Sequence, residues 1–302
     1  MPDKKVLALD SQILNTYQLC ARRCKYQFVD RLSPLVKAVA LDKGGLLHEV
    51  LKVHYLYLMK DFTRIRNLKS FDGRTLLDET ANELSLVQVV RKHFDFVSMD
   101  SDLPLDICEE VWNTYVQYEQ YYRSDGWMPI AVEQSFSKVL FEDDDLIILY
   151  EGIIDWLDNT KIVDHKSSSR RGEPLALSNQ FMGYAWAFGV HNVVINKIGF
   201  QKTLDAKDKF ERYTKSYPAD MIAEWRENTI QWALRLFYHL NHIEEMEKDF
   251  NLTSCDKYGG CIYAGSTADL GPCQTERQAR SWKIQNKYKV GEVWSPAGDL
   301  EK

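Results

Sequence analysis

Two short stretches, Gly152-Ile153-Ile154-Asp155 and Asp164-His165-Lys166, decide the fold of this 302-residue chain. The residues from Leu146 to Trp156 are apolar and β-branched, residues 158–160 form a turn sequence, and a second apolar run covers 161–166. This pattern predicts a β-hairpin. The two strands of the hairpin would place the carboxylate of Asp155 close to that of Asp164.

The second stretch also predicts which side chains face the same way. Side chains alternate between the faces of a strand, so Asp164 and Lys166 share one face and His165 points to the other. Two carboxylates and the backbone carbonyl of His165 are oxygen ligands of the kind that Mg²⁺ or Mn²⁺ prefers. Such a cation acidifies a water molecule and neutralises phosphate charge, while Lys166 would orient that water or stabilise the transition state. The pattern is typical of metal-dependent phosphodiester hydrolysis.

Asp-x-Lys alone is a weak signal, because 27% of the residues are charged. Asp3-Lys4-Lys5 and Asp205-Ala206-Lys207 show the same pattern. Both lie in polar segments, whereas Asp164 lies in an apolar strand. A surface hairpin with a solvated ion pair is the competing interpretation, since ion-pair networks also cluster charge.

A histidine upstream could complete the metal site. Gly44-x3-His48 places the imidazole on what the pattern indicates is the first turn of an apolar helix. A neutral imidazole binds divalent metals. The alternative is a helix histidine packed near the core.

Two more segments supply candidate side chains. A strand predicted over 130–140 places Val132, Gln134 and Phe136 on one face and Glu133 on the other, as a further acid of the site or a solvated residue. Gln180 and Tyr184 are four residues apart, so they share a face of a helix predicted from Leu175 to Val190. These two could hold a phosphate or the site lysine, or belong to an amphipathic surface.

The six cysteines, at positions 20, 24, 108, 255, 261 and 273, give an independent argument. The first residues lack the apolar core of a signal peptide, so the expected location is cytoplasmic and the expected thiols are reduced. Cys255, Cys261 and Cys273 lie in a glycine-rich stretch with little means of packing a core. Three thiolates need a fourth ligand, which Cys20 or Cys24 could supply, to close a zinc site or a four-iron cluster. The split spacing lacks the close Cys-x2-4-Cys pairs of zinc sites and favours iron and sulfur; free thiols are the alternative, with Cys108 a plausible buried example.

Taken together, these motifs resemble a known family. The series Cys20, Gly44-x3-His48, Glu133, Gly152-x2-Asp155, Asp164-x-Lys166, Gln180-x3-Tyr184, Cys255, Cys261 and Cys273 resembles the PD-(D/E)XK nuclease superfamily. The branch it most resembles is that of the RecB-like nucleases with an iron-sulfur cluster, which includes CRISPR adaptation nucleases, the AddB nuclease domain and phage-encoded proteins. The resemblance covers residues from about 11 to 273.

The resemblance implies a fold, two cofactors and a role for each site residue. The fold is α/β, with a restriction-endonuclease-like mixed central sheet (αβββαβ core) flanked by helices, a helical insertion, and an iron-sulfur staple joining the N- and C-terminal segments. Mg²⁺ or Mn²⁺ would be held by His48, Asp155 and Asp164 with the His165 carbonyl, and Lys166 would be catalytic. A 4Fe-4S cluster would be held by Cys20, Cys255, Cys261 and Cys273, with Cys24 competing for the place of Cys20. The eleven residues between Cys261 and Cys273 exceed the family's usual spacing.

Element order along the chain agrees with that fold. Ser11 is predicted to cap a helix that carries Cys20 and Cys24 on one side, followed by largely helical sequence up to about Gly126. Three strands, a helix and a strand over 193–203 follow, and a long helix is predicted over 218–250. Without repeats or linkers, one nuclease domain over 1–302 is the economical organisation: N-terminal helix with a cluster ligand 11–45, helical insertion 46–126, catalytic core 127–203, C-terminal helix and cysteine loop 218–289.

Composition limits the partners. A net charge of −6 excludes a general polycationic coat, although a locally basic cleft could still bind DNA. No apolar run is long enough to span a membrane. The candidate DNA-facing groups, each also interpretable as a solvated surface, are Arg22-Arg23-Lys25, Lys166 with Arg170-Arg171, and a tail with Arg277, Arg280, Lys283, Lys287, Lys289, Trp282 and Tyr288.

The sequence therefore predicts a metal-dependent DNA nuclease, an exonuclease on single strands or DNA ends in repair, recombination or phage DNA metabolism. A bacterial cell or a phage-infected host is the expected setting. No Gly-x4-Gly-Lys-Ser/Thr motif is present, so a helicase would be a separate partner, and a homo-oligomer is the other expected assembly. Two alternatives stay open: a non-catalytic nucleic-acid-binding or assembly module, and an endonuclease within a larger complex.

Overall fold

A mixed β-sheet begins with the first strand of the chain, and helices lie between and after its strands. The computed structural model describes residues 4–35, 39–68, 83–168, 177–201, 203–255, 260–265 and 270–293. The strands are β1 (Lys5–Leu9), β2 (Leu32–Pro34), β3 (Ala131–Glu142), β4 (Leu146–Leu157), β5 (Ile162–Ser168), β6 (Asn192–Gly199), β7 (Phe210–Ser216) and β8 (Tyr288–Val290). The α-helices are α1 (Ser11–Leu19), α2 (Ala21–Cys24), α3 (Val39–Leu58), α4 (Phe62–Asn67), α5 (Leu86–Met99), α6 (Leu105–Tyr122), α7 (Asn179–Phe188), α8 (Ala206–Lys209), α9 (Ala219–Asn241), α10 (Ile243–Lys248) and α11 (Arg277–Lys287).

The sheet contains β1 and β3 to β7, and its central strand β4 is shared unequally. One edge of β4 pairs with β3 along most of its length. The other edge pairs with β1 over Leu146–Tyr150 and with β5 only at Trp156 and Leu157. Strands β1 and β5 therefore leave residues 151–155 of β4 between them. We call this opening, bounded by 151–155 of β4 and 164–166 of β5, the β4–β5 fork.

Two layers of helices cover the sheet. One core cluster packs α3 to α6 against the sheet and contains Trp156 and Val163. The other packs α7 and α9 against the opposite side and contains Tyr150 and Ile154. Apolar burial on both sides drives this arrangement, because each amphipathic helix must cover its apolar stripe. Among the described residues, no helix has the length and apolarity that crossing a membrane requires.

The predicted fold class is confirmed: the sheet is mixed and helices flank it, and α3, β3, β4, β5, α7 and β6 follow one another in the predicted order. Within the segment predicted to be largely helical, about 45 to 126, the described residues form the rest of α3 together with α4, α5 and α6, and 69–82 lie outside the described residues. Strands β1 and β7 extend the sheet beyond the predicted core. Strands β2 and β8 pair with each other and join residues 32–34 to 288–290.

Several predicted boundaries were wrong. Asp10 caps α1, since its carboxylate accepts a hydrogen bond from the Ile13 amide at 2.8 Å; Ser11 is the first helical residue. The predicted N-terminal helix breaks at Cys20, whose φ of −170° is extended. The predicted helix over 218–250 divides into α9 and α10 at His242.

Two elements of the predicted core also have different limits. Strand β6 ends at Gly199, short of the predicted Thr203. Helix α7 begins at Asn179, because Ser178 caps it by accepting a hydrogen bond from the Gln180 amide. The first two residues of the predicted helix, Leu175 and Ala176, lie outside the described residues.

Candidate active site

His48 reaches the β4–β5 fork from α3. This helix begins at Val39, so His48 lies in its third turn. The predicted position in the first turn was wrong. Gly44, one turn earlier, contacts β5 closely: a Cβ there would lie 2.8 Å from the Ser167 hydroxyl oxygen. A glycine at this position lets the helix approach the strand, and that approach brings His48 Nδ1 to 3.5 Å from Asp155 Oδ1.

Glu133 enters the site through an irregularity in β3. Its backbone has a φ of 48°, which is uncommon for a residue with a Cβ. Val132 and Gln134 pair with Trp156 and Ile154, so Glu133 lies opposite Asp155 on the neighbouring strand. The predicted common face of Val132, Gln134 and Phe136 is wrong. Val132 and Phe136 are buried in different core clusters, and Gln134 is exposed.

His48, Glu133 and Asp155 form a group suited to a divalent cation. One ligand atom from each of the three lies within 4.8 Å of the others, and no other such group occurs among the described residues. Imidazole nitrogen and carboxylate oxygen are the donors that Mn²⁺ and Mg²⁺ accept.

The charges of this group also fit a cation. Burial, and then the neighbouring Asp155 carboxylate, raise the pKa of Glu133 to about 7. Burial opposes ionisation of Asp155 as well, but the adjacent His48 outweighs it and holds the Asp155 pKa below its usual range. Burial lowers the pKa of His48, and Asp155 more than compensates and raises it to about 9. Without a metal the group therefore retains protons, which a bound divalent cation would displace.

Asp164 and Lys166 lie beside this group and share a face of β5, as predicted. The Asp164 side chain is 2% exposed, and Lys166 Nζ lies 2.9 Å from its Oδ2 and 3.2 Å from its Oδ1. Burial raises the pKa of Asp164 to about 6, and Lys166 opposes that shift. Burial lowers the pKa of Lys166, but Asp164 outweighs it, so the net shift is upward and the ammonium stays charged.

Gln180 holds the lysine in place. Its Oε1 accepts a hydrogen bond from Lys166 Nζ at 3.0 Å, and its Nε2 donates to Asp164 Oδ1 at 3.0 Å and to the Tyr184 hydroxyl at 2.9 Å. Of the three predicted uses of Gln180 and Tyr184, the geometry matches the one that involves the site lysine.

Tyr184 forms a hydrogen bond with the backbone of the fork. Its hydroxyl donates to the Ile153 carbonyl oxygen at 2.7 Å, a group on the stretch of β4 that lies between β1 and β5. Helix α7 comes close enough for this contact because of Gly183, where a Cβ would lie 2.4 Å from the Tyr150 ring. Gln180 and Tyr184 therefore position Asp164, Lys166 and the β4 backbone.

His165 points away from Lys166, as predicted, and its backbone serves the site. Its amide donates to Asp155 Oδ2, which holds that carboxylate in the fork. The ring stacks on Tyr55 at 5.3 Å with an interplanar angle of 11°, and Asn196 Nδ2 lies 2.8 Å from its Nδ1. Burial lowers the pKa of the His165 ring to about 3, so the ring is neutral.

A buried network surrounds this ring, and sequence reasoning missed it. We call Tyr55, Tyr118, His165, Asn196 and Arg212 the His165 network. Asn196 Nδ2 also donates to the Tyr118 hydroxyl at 2.8 Å, and Arg212 Nε donates to Asn196 Oδ1 at 3.3 Å. Because arginine only donates, the Asn196 amide orientation is fixed, His165 Nδ1 accepts, and the proton lies on Nε2.

The polar pair Asn196-Lys197 in an apolar strand was the one available signal for this network.

Three of the predicted cluster ligands pack together. Cys261 is buried with Tyr26, Tyr263 and Tyr288, and Cys255 and Cys273 pack against that cluster. The Cys261 amide donates to the Cys255 carbonyl oxygen at 2.7 Å. Burial, and then Cys261, raise the pKa of the Cys273 thiol to about 11, and Cys20 adds to this rise.

Cys24 and Cys108 are buried in other clusters. Cys24 is buried with Tyr17 and Met246 in a separate apolar cluster, and burial raises its pKa to about 12. Cys108 is 4% exposed, in agreement with the prediction of a buried thiol.

The basic groups differ in exposure. Arg22 and Lys25 are buried; Arg22 Nε donates to the Glu247 carbonyl oxygen, and Lys25 pairs with Asp30 at 2.7 Å. The predicted Arg22-Arg23-Lys25 surface is therefore wrong for these two side chains. In the tail Trp282 is 59% exposed, whereas Tyr288 is buried. Arg170 and Arg171 lie outside the described residues.

Two carboxylates, a histidine, and a buried aspartate paired with a partly exposed lysine meet in the fork of a mixed sheet, and such a site is typical of a hydrolase of the nuclease class that uses a divalent metal. The chain belongs to the PD-(D/E)XK nuclease superfamily, whose family model matches residues 11–265. Members of this superfamily use divalent metal ions, and the group formed by His48, Glu133 and Asp155 could bind one.

Solved structures give weaker likenesses. The crystal structure of SSO0001 is 13% identical, with a TM-score of 0.33, over 76% of this chain and 78% of that chain. An alkaline exonuclease (LHK-Exo) from Laribacter hongkongensis is 9% identical, with a TM-score of 0.33, over 55% of this chain and 89% of that chain. The same exonuclease in complex with dAMP is 10% identical over 54% and 86%. No curated protein matches the chain.

Proposed function

We propose that this nuclease is a metal-dependent deoxyribonuclease that acts as an exonuclease on single-stranded DNA or DNA ends, in repair, recombination or phage DNA metabolism. The observation that carries the proposal is the meeting, in the β4–β5 fork, of a three-ligand group with an ion pair between the buried Asp164 carboxylate and the partly exposed Lys166. Residues from α3, β3, β4, β5 and α7 contribute. A solvated surface ion pair, the competing interpretation of Asp164 and Lys166, does not agree with an Asp164 side chain that is 2% exposed.

The proposed roles follow from the contacts. His48, Glu133 and Asp155 would hold the cation, with Asp164 and the His165 carbonyl adjacent to it. When bound, a divalent cation acidifies water and neutralises phosphate charge. Lys166, kept protonated by Asp164 and held by Gln180, would stabilise the negative charge that develops on the phosphoryl oxygens. Gln180 and Tyr184 act through other residues, so we assign them positioning roles.

Cleavage of end-labelled DNA tests this proposal. Protein purified without air is given linear and circular, single-stranded and duplex DNA with Mn²⁺ or Mg²⁺. We expect loss of linear single strands, survival of circles, and loss of activity in Asp155→Asn. Asp205→Asn is the control: Asp205 belongs to one of the two Asp-x-Lys patterns in polar segments, lies outside the fork, and its variant should cleave like wild type.

Cleavage of circles would contradict the exonuclease and favour an endonuclease. Binding of DNA without cleavage in either metal, alone or with a helicase added, would contradict the nuclease and favour a binding module.

We further propose that Cys20, Cys255, Cys261 and Cys273 hold a 4Fe-4S cluster. The packing of three of these cysteines around Tyr26 and Tyr263 supports it, as does the contribution of Cys20 to the raised pKa of Cys273. Cys24, enclosed with Tyr17 and Met246, is the weaker candidate for the fourth ligand.

Metal analysis tests the cluster. We expect a brown protein with iron and sulfide in equal amounts, and loss of both in Cys20→Ser. Cys108→Ala, which removes a buried thiol remote from the others, should keep them. Zinc in place of iron would contradict the proposal.

A further inference from the structure

A cavity of about 700 Å³ adjoins the active site. It lies between α1 and the start of α7, and Lys166 and Gln180 form part of its wall. Its volume falls within the range of about 300–1,000 Å³ that is usual for small-ligand pockets. A group bound here would sit directly beside the phosphate that Lys166 faces.

The wall chemistry suits an uncharged, flat group. Leu19, Leu177, Phe181 and Met182 supply the apolar part. Among the described residues that line the cavity, Lys166 is the one charged side chain, so the remaining polar atoms come from amides and a hydroxyl. Among the described lining residues, a second phosphate would find no cation besides Lys166, whereas a nucleobase offers an apolar face and a polar edge.

Asn179 fixes the orientation of two side-chain amides on α1, those of Asn15 and Gln18. Trp225 Nε1, which can only donate, lies 2.9 Å from Asn179 Oδ1. Asn179 Nδ2 therefore faces α1, where it donates to Asn15 Oδ1 at 2.6 Å and to Gln18 Oε1 at 2.9 Å. The Tyr150 hydroxyl adds a hydrogen bond to the Asn179 carbonyl at 2.8 Å.

Because both oxygens are occupied, each amide presents its NH₂ group. Among the described residues, Asn15 Nδ2 and Gln18 Nε2 have no hydrogen-bond acceptor, and the two side chains lie three residues apart on one face of α1. Every nucleobase carries an acceptor nitrogen or oxygen on its edge. Two fixed donors would therefore bind any of the bases, without specificity for one of them.

We propose that this cavity, the α1–α7 cavity, binds the unpaired nucleobase next to the scissile phosphate, with Asn15 and Gln18 as donors to the base edge. The proposal rests on the proposed function and adds a substrate subsite to it. Asn179 and Trp225 are positioning residues for the two donors. A base held in this cavity cannot also stack in a duplex, so the cavity would select single-stranded or frayed ends.

An abasic scan tests the subsite by binding alone. Fluorescent single-stranded oligonucleotides, each with one abasic position, are titrated with the full chain in EDTA, where binding is read without metal. We expect one position at which base removal weakens binding about five- to tenfold, the combined effect of lost contact with the apolar wall and lost hydrogen bonds. In Asn15→Ala/Gln18→Ala the intact oligonucleotide should bind more weakly and that position-specific penalty should fall below about twofold.

Two further variants control for folding and for general effects. Asn15→Asp/Gln18→Glu keeps an oxygen for Asn179 and removes only the donors, so it should also lose the penalty, since the comparison of intact with abasic DNA cancels its added charge. Gln231→Ala, an exposed amide on α9, should behave as wild type.

A penalty that is equal at all positions, a penalty unchanged in both double variants, or no binding at all would overturn the subsite. A parallel reaction with Mn²⁺ measures cleavage by the wild-type protein. Absence of cleavage there, with the abasic pattern intact, would remove the proposed function and leave the base-binding site standing.

Discussion

The β4–β5 fork and the His165 network lie on either side of β5 and differ in their charge. The fork gathers His48, Glu133, Asp155 and Lys166, whose charges are only partly balanced. The network gathers neutral, buried groups around His165, and its one charged member, Arg212, is paired with Asp125 at 2.7 Å. Arg212 also packs between the rings of Tyr122 and Trp127, at 3.5 and 3.3 Å.

The fork carries the groups that would take part in the reaction, and the His165 network fixes their positions. The carboxylates of the fork repel one another when no cation is bound. Contacts on the opposite face of β5 hold them in place. The His165 amide holds Asp155, while the ring of the same residue is fixed by Tyr55 and Asn196. A functional site keeps its geometry when such supporting contacts are satisfied.

The largest expected effect is on the fork. Lys166→Ala should lower the cleavage rate by about a thousandfold, because a charge that stabilises the transition state is lost. Mn²⁺ affinity, measured by calorimetry, should be kept, since the lysine is not a ligand. Lys207→Ala removes an exposed lysine of the Asp205-x-Lys207 pattern and should leave both unchanged. Full activity in Lys166→Ala would show that the lysine has no catalytic role.

The next effect concerns the protonation of a histidine beside the network. His54 is buried against Tyr115, and burial lowers its pKa from 6.5 to about 4. The unfolded chain then binds the extra proton between pH 6.5 and 4, so stability falls as the pH decreases through that window, by about 3 kcal/mol in total. In denaturant unfolding at pH 7 and pH 4, His54→Gln should lose about 3 kcal/mol less stability than wild type; the buried His165 ring contributes the same loss to both proteins.

The exposed His191 provides the control for that measurement. His191→Gln should retain the wild-type pH dependence. An equal loss in His54→Gln and wild type would mean that His54 is already charged in the folded protein.

A smaller effect tests whether the His165 network supports metal binding in the fork. Asn196→Leu should destabilise the protein by about 1 to 3 kcal/mol, because Tyr118 and His165 lose a buried partner. It should also weaken Mn²⁺ binding by about 10- to 100-fold, as losses behind metal ligands do. Asn228→Leu, at an exposed position of α9, should do neither. Destabilisation with unchanged metal affinity would show that the network supports the fold and not the site.

The smallest effect isolates the cost of the irregular strand. Glu133→Gly relieves a φ of 48° and should raise stability by up to about 1 kcal/mol, while metal affinity falls. Lys138→Gly, at an exposed position of the same strand, should instead lower stability by about 0.5 to 1 kcal/mol. Loss of stability in both variants would mean that the Glu133 backbone is not strained.

Sequence alone predicted the parts of the fork that depend on local periodicity. The alternation along β5 placed Asp164 and Lys166 together, and the four-residue spacing of Gln180 and Tyr184 placed them on one face of α7. The positive φ of Glu133 could not be predicted, because it depends on how β3 crosses β4, and a regular strand would have turned that carboxylate elsewhere. The His165 network was equally hidden, since its members come from α3, α6, β5, β6 and β7 and no spacing connects them.

The pairing of β1 with β4 has a consequence for the order in which the protein can form. Lys5 pairs with Leu146 and Leu9 with Tyr150, so β1 is synthesised about 140 residues before its partner. At about 5 to 20 residues per second, this apolar strand has no sheet edge to join for on the order of ten seconds. His48 likewise waits for Glu133 and Asp155. A nascent chain therefore has no assembled metal group until its central strands have been synthesised, so the active site cannot form before the sheet closes.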